Sequence, residues 1–363
     1  MSRKLATIRA VSELKPIDGR DRIVLATVDG WHVIVGKDDF EVGDMCVYCE
    51  PDTVLPETPE FEFLRKRDFR IKTMKMAGVI SQGICFTMDI LPPGNYAVGD
   101  DVTQIIGATQ YEPTMDDADT TNVNDAPKRK YPKWLMRHTW FRKLVLPPSK
   151  SKSWPNFVSK TDEERIQNCK WILEDNEHWV ATEKVDGTSA TYVIKKKSGF
   201  HPFHKYEYFV CSRNRRLPTD DGSVYWQIYK ECNIAHALET LIADASWADW
   251  VVIQGEIIGP KIQGNKYKLG HFQFYVFNLI YPNRRVPSIE AKHTINDSCH
   301  LKFVPIVNSE MKLPDTVDDM LKIARGKSQI NTSIYREGLV CRSLDGKQSF
   351  KAVDPLFLIK YNE

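Results

Sequence analysis

The sequence predicts an α+β protein: a β-rich N-terminal block shaped as a small barrel, then a mostly antiparallel sheet with flanking helices. Three observations carry this. Residues 1–112 hold short strand-like runs separated by turn signals, with little helix. Residues 113–154 are polar, first acidic and then basic, with prolines, and read as a linker. From residue 155 to 363 strand-like runs are interspersed with amphipathic helical ones. A chain of 363 residues suits two domains better than one core.

In chain order, "RIVLATVDGWHVIVG" is two runs around Asp29-Gly30, a hairpin signal. "DMCVYCEP", "GVISQGICFTM" and "YAVGDDVTQIIG" add strands, enough for a closed or partly open barrel. "KWLMRHTWFRKLVLPPSKSKSWP" carries at most one short helix before its prolines. "TDEERIQNCKWIL" predicts a helix capped by Thr161 or Asp162, with Ile166, Cys169, Ile172 and Leu173 at helical spacing. "VYWQIYKECNIAHALETLIADA" predicts one long helical segment, and "DTVDDMLKIARGKS" another ending near Gly326. The strands among them are "HWVATEKV", "SATYVIKKK", "YFVCSRN", "WVVIQGEIIG", "FQFYVFNLIY" and "EGLVCRS".

Composition excludes several classes. The net charge of +2 does not announce a nucleic-acid binder, so any such site must come from local clustering. No apolar run reaches membrane-spanning length, and "MSRKLATIRAV" lacks the apolar core of a signal peptide. Eight cysteines without framework spacing fit reduced thiols, so a cytoplasmic or nuclear protein without membrane attachment is expected. Cys46 and Cys49 form a C-x-x-C on a strand, which sends them to opposite faces and argues against zinc or redox use.

The chemistry gathers around "EKVDGTSATYVI". Lys184 sits beside apolar Trp179, Val180 and Ala181, and a partly buried lysine is expected to have a lowered pKa and to act as a nucleophile. A lone K-x-D-G is more often a surface lysine before a turn, and the rest of the chain has to overturn that reading. Asp186, Glu256 and Glu337 stand on separate strand-associated segments and are candidates to converge on a hydrated Mg²⁺. Arg213, Lys351 and Lys360 are candidate phosphate ligands, and Phe277 a ring for a base to stack on. Singly, these are ordinary strand-end carboxylates, solvated cations and core packing. Their joint order is what tells.

The series K-V-D-G, S-R-N, G-E-I-I-G, F-Y-V-F-N, E-G-L-V and F-K-A-V resembles the motifs of the covalent nucleotidyltransferase superfamily, over residues 157–361. A β-rich block in front of the catalytic part, with "KPIDGRDRIVLATVDGWHVIVGK", "FEFLRKRDFRIKTMKMAGVISQG" and "WPNFVSKTDEERIQN", resembles the OB-first RNA ligases of the Deinococcus and Naegleria type. The resemblance implies an OB-like domain at 1–112 and an adenylyltransferase domain at 155–363. It implies that ATP donates AMP to Lys184, then to an RNA 5′-phosphate, and that a 3′-hydroxyl closes the strand.

By the same resemblance Asp186, Glu256 and Glu337 hold Mg²⁺ or Mn²⁺, largely through water. Lys351 contacts the α-phosphate, Phe277 stacks on adenine, and Arg213 holds the ribose or the incoming 5′-phosphate. Arg165, Glu183 and Lys360 complete the nucleotide site. The partner is RNA, as a nicked duplex or as free 3′-hydroxyl and 5′-phosphate ends, and the protein is expected to be a monomer.

"LRKRDFRIKTMK" clusters Arg65, Lys66, Arg67, Arg70, Lys72 and Lys75. Alternating with Phe69 and Ile71 on a barrel, these are expected to track an RNA backbone with little sequence preference. Every adenylation motif lies after residue 157, so the front block is expected to be separable from the chemistry on ATP. Two rival readings are a GTP-using mRNA capping enzyme and a non-catalytic OB-fold nucleic-acid-binding protein.

Overall fold

The computed structural model describes residues 3–111, 153–160, 162–197, 205–217 and 219–361. Residues 113–152 of the predicted linker, with its predicted short helix, and Thr161, one of the two predicted caps, lie outside the described residues.

The front block is a five-stranded antiparallel sheet in the order Trp31–Gly36, Arg20–Val28, Ala6–Ile17, Met45–Cys49, Ile84–Phe86. Side chains alternate as a half-buried strand requires: Trp31, Val33 and Val35 point inward between partly exposed neighbours. Asp29 takes the left-handed φ of 54° that the hairpin turn needs. Cys46 and Cys49 do go to opposite faces, one packed with Trp31 and Tyr48, the other with Ile8 and Leu64.

Two elements here differ from expectation. "YAVGDDVTQIIG" forms a single helical turn, Thr103–Ile106, not a strand. Asp101 accepts from the Thr103 N–H at 3.0 Å, and Thr103 Oγ1 accepts from the Leu5 and Ala6 N–H groups. Side-chain capping therefore takes this backbone out of the ladder. The basic run does not alternate along one strand either. Arg65, Lys66 and Arg67 end a 3-10 helix, Pro59–Arg67, and Asp68 and Phe69 turn the chain sharply with φ of 50° and 57°.

The second block holds two sheets, each with its own hydrophobic core. One is four-stranded, in the order Ile306–Lys312, His178–Lys184, Gly338–Ser343, Ser349–Val353. The other runs Tyr206–Cys211, Thr188–Lys196, Trp250–Ile258, Gln273–Tyr281, Arg284–Arg285, and Lys302–Phe303 pairs in parallel with Gln273–Tyr281. The predicted antiparallel sheet is thus two sheets, and the K-V-D-G turn is where the chain crosses between them. Gly187 permits that crossing, because a Cβ there would collide with the carbonyl of Ile257.

The predicted long helix is two helices, Val224–Glu231 and Ile234–Asp244, broken where Asn233 adopts a φ of 48°. Their buried faces, including Ile228, Leu238 and Leu241, pack under the larger sheet. The helix Val317–Ala324 covers the smaller one, capped by Thr316, and its Met320 packs in the same core as Trp179 and Phe350. The helix expected over 161–173 is two 3-10 turns, Ile166–Asn168 and Lys170–Glu174. The cause is upstream: the Lys351 N–H donates to the Glu164 carbonyl at 2.7 Å, which holds residues 164–165 extended against the sheet edge.

The barrel docks on the catalytic block through a polar cluster. Asn168 accepts from Trp31 Nε1 at 2.9 Å and from Arg9 at 3.0 Å, and donates to Glu50 at 2.6 Å. His32 meets Asp318 at 3.0 Å. Among the described residues no helix is long and apolar enough to cross a membrane.

Candidate active site

Strand register places the chemistry. Lys184 closes its strand opposite Gly338, so Glu337 stands one residue beyond the end of the neighbouring strand and faces it. Lys184 Nζ donates to Glu337 Oε2 at 2.6 Å. Glu256 enters from the other sheet, paired with Ser189 and Tyr275, and Asp186 enters from the turn between the sheets. Lys184, Glu256 and Glu337 line a cleft of about 1280 Å³ that also takes in Arg213, Phe277, Lys351 and Lys360, while Asp186 is buried between the lining residues Val185 and Gly187.

Electrostatics inside the cleft is dominated by desolvated carboxylates. Burial pushes Glu256 up to about 8; the Lys184 charge opposes the shift, while Asp186 and Glu337 add to it. Burial and the Glu337 charge push Asp186 up to about 6 against the pull of Lys266. Burial by itself would lower Lys184, but the charge and hydrogen bond of Glu337 outweigh it, with help from Glu256 and Asp186. Its pKa is therefore raised. This corrects the expected lowering: next to Glu337 the side chain is an ammonium.

A second group holds the opposite sign. Arg165 is buried, stacks over Trp31 at 5.7 Å, and lies 3.6 Å from Asp52; its Nε and Nη1 have no hydrogen-bond partner. Lys351 donates to Asp162 at 2.8 Å, and burial together with the charges of Arg165 and Arg3 lowers its pKa. Buried guanidinium donors left open beside a desolvated ammonium suit an anion. Phe277 faces the cleft from the strand Gln273–Tyr281, and its carbonyl accepts from Arg342 at 3.1 Å. Glu183 is buried, accepts from the Gln329 N–H at 2.7 Å, and keeps its second oxygen unpartnered; burial raises its pKa.

Among the described residues no three His, Cys, Asp or Glu side chains converge closely enough to hold a metal ion directly. Asp186, Glu256 and Glu337 nonetheless feel one another's charge around the Lys184 ammonium. That donor set fits a hydrated divalent ion held through its water shell.

Several contributors were not assigned to this cleft from the sequence. Arg3, Asp52, Arg70, Gln110 and Tyr111 of the barrel form one wall of the cleft. Arg70 leaves the expected basic surface, pairs with Asp52 at 2.6 Å and lies 3.7 Å over the Tyr111 ring. The cleft is therefore shared between the front block and the second block. Arg65 is tied to Glu62 and Glu57 on the exposed face, beside Lys66 and Arg67, and Lys75 is exposed nearby. Lys72 is only partly exposed. Asp162, which holds Lys351, and Lys266, which holds Asp186, carried no motif signal beyond their charge.

An OB-fold barrel ahead of a two-sheet domain with a lysine among carboxylates defines an OB-first nucleotidyltransferase. The comparisons with known proteins agree. Residues 5–88 match an OB-fold domain family, and residues 177–361 match the family described as RNA ligase. The chain belongs to the RNA ligase family.

A Naegleria gruberi RNA ligase variant with ATP and Mn is 31% identical, with 99% of this chain and 100% of that chain covered and a TM-score of 0.81. The same ligase with PPi is 32% identical, with 99% of each chain covered and a TM-score of 0.80. A further variant with AMP and Mn is 32% identical, with 98% of each chain covered and a TM-score of 0.79. No curated protein matches the chain. The family favours neither the capping enzyme nor the non-catalytic reading.

Proposed function

We propose that this protein joins RNA 3′-hydroxyl and 5′-phosphate ends, with ATP as AMP donor and Lys184 as the residue that carries AMP. One observation supports the assignment of Lys184 above all: its amine lies at the junction of the two sheets, 2.6 Å from Glu337, within reach of the charges of Glu256 and Asp186. Lys184 Nζ forms a bond to the α-phosphorus of ATP while the bond to pyrophosphate breaks. The ammonium must first give up a proton, and Glu337 is the group hydrogen-bonded to it. A Mg²⁺ or Mn²⁺ ion, when bound, supplies positive charge to the carboxylates and to the phosphate.

The residues around it divide the remaining work. Arg165 and Lys351 bind the phosphates, Phe277 stacks on adenine, and Glu183 orients the nucleoside. Arg213 receives the ribose or the incoming 5′-phosphate, and Lys360 reaches the phosphates from the last helix. AMP then passes to the RNA 5′-phosphate, and the 3′-hydroxyl attacks that phosphorus and releases AMP. Asp186, Glu256 and Glu337 hold the divalent ion through water. Arg65, Lys66, Arg67, Lys72 and Lys75 grip the RNA backbone, and Arg70 serves at the cleft mouth. The protein works as a monomer, and its place is the cytoplasm or nucleus, a location supported by eight free thiols among the described residues.

The test is incubation with α-labelled ATP or GTP, denaturation, and mapping of the labelled residue. Label from ATP on Lys184 is expected. Label from GTP alone, or none, overturns the reading.

A further inference from the structure

Lys266 does not belong to any motif that led to the site, yet it is built into it. Its ammonium donates to Asp186 Oδ2, and both side chains are nine-tenths buried. The same ammonium lies 5.1 Å from the ring centre of Phe357 and 4.8 Å from that of Tyr361, on the final helix Pro355–Tyr361. The loop that carries it is strained. Lys261, Gln263, Asn265 and Lys268 all have positive φ, between 45° and 64°. The loop also grips the K-V-D-G turn by its backbone, since the Asp186 N–H donates to the Tyr267 hydroxyl at 3.0 Å. Asn331 in turn holds the Tyr267 carbonyl at 2.9 Å. Strain of this kind persists only where surrounding contacts over-determine it, and here they aim one lysine at one carboxylate.

Charge explains why. Glu256 and Glu337 line the cleft and Asp186 is buried beside it, so three potential negative charges act on one another away from water. Lys184 answers Glu337 and Lys266 answers Asp186. A divalent ion that uses Asp186 competes with Lys266 for the same oxygen. The rings of Phe357 and Tyr361 offer the displaced ammonium a favourable face, so it can leave the carboxylate without leaving the site.

We propose that Lys266 is the internal counter-cation of the carboxylate cluster: it neutralises Asp186 while no divalent ion is bound and yields that carboxylate when one binds. The proposal rests on the reading that Asp186, Glu256 and Glu337 hold the ion. Lys266 is on this view a positioning residue that sets how tightly the ion is held and keeps the empty cluster from repelling itself. When the ion is bound and Lys184 is neutral, the retained Lys266 charge balances the third carboxylate.

The experiment is Mn²⁺ titration of the full chain without nucleotide, read by the electron paramagnetic resonance of free Mn²⁺. Wild type, Lys266→Met, Lys266→Arg and Asp186→Asn are compared. Methionine keeps an apolar stem against Phe357 and Tyr361 and removes the competing charge. Lys266→Met should bind Mn²⁺ roughly tenfold more tightly than wild type. Lys266→Arg should bind like wild type, and Asp186→Asn more weakly. Equal or weaker binding in a folded Lys266→Met protein overturns the counter-cation role. If Lys266→Met does not fold, Lys266→Gln tests the same loss of charge. Wild-type binding that Asp186→Asn leaves unchanged overturns instead the use of Asp186 as a metal residue, and the inference with it.

Discussion

Lys184 and Glu337 meet at 2.6 Å because their strands pair so that Lys184 lies opposite Gly338. Burial opposes the charge on the amine, and Glu337 outweighs it, so the pair favours the ammonium form. The consequences can be measured residue by residue.

Replacing Lys184 by alanine should abolish adenylate formation, since no neighbouring group can form the same bond to phosphorus. The variant should still seal RNA that is already 5′-adenylated. Label retention on denatured protein and sealing of pre-adenylated RNA check the two halves. Normal label uptake would remove Lys184 from its role.

Glu256→Ala and Glu337→Ala should each lower sealing by roughly 10- to 100-fold at limiting Mg²⁺ while leaving the fold intact. Circular dichroism checks the fold, and a Mg²⁺ titration of sealing rate checks the role. Wild-type rates at limiting Mg²⁺ would end it.

Glu256 links pH to stability in the absence of a divalent ion. Its folded pKa of about 8 lies above the ordinary carboxyl value of 4.5. The folded state therefore holds the proton more tightly than the unfolded state. The stability this contributes is fully present below about pH 4.5 and is lost as pH rises through about 8. Thermal melts in chelator should show wild type losing stability across that window relative to Glu256→Gln, whose side chain does not titrate. Parallel pH dependences would contradict the assignment.

Gly338→Ala should destabilise the protein by about 1–3 kcal/mol and damage activity beyond that. A Cβ at this position would collide with the backbone carbonyl of Ala352 on the adjacent strand. Relief of the clash would separate the strands and move Glu337 from Lys184. Urea unfolding and the adenylation rate of the folded fraction measure the two effects.

The barrel should matter to the first chemical step. Asn168 joins Trp31, Arg9 and Glu50, three residues after Arg165, whose own partner is Asp52. A chain beginning at residue 153 should adenylate at least roughly tenfold more slowly than the full chain at limiting ATP, because Arg165 loses its support. An unchanged rate would make the interface a matter of RNA binding alone.

The sequence by itself determined the two-part architecture, most of the strands and the main candidate residues. Those features rest on local signals: alternating burial in "WHVIVG", the Asp29-Gly30 turn, and the ordered motifs from Lys184 to Lys351. It also placed Cys46 and Cys49 on opposite faces, since strand periodicity alone decides that. Tertiary structure decided where local preference lost. The chain around Arg165 has helical spacing but is extended because Glu164 pairs with Lys351, 187 residues away. Arg70 belongs to a basic run in sequence, yet Asp52 and Tyr111 turn it into the cleft. The protonation of Lys184 runs opposite to what its apolar sequence neighbours imply, because those neighbours signal desolvation alone. The deciding charge, Glu337, lies 153 residues away and arrives only when the strands pair. Lys266 was invisible for the same reason: its meaning is a distance to Asp186, and no local pattern encodes a distance between segments that only the folded sheets bring together.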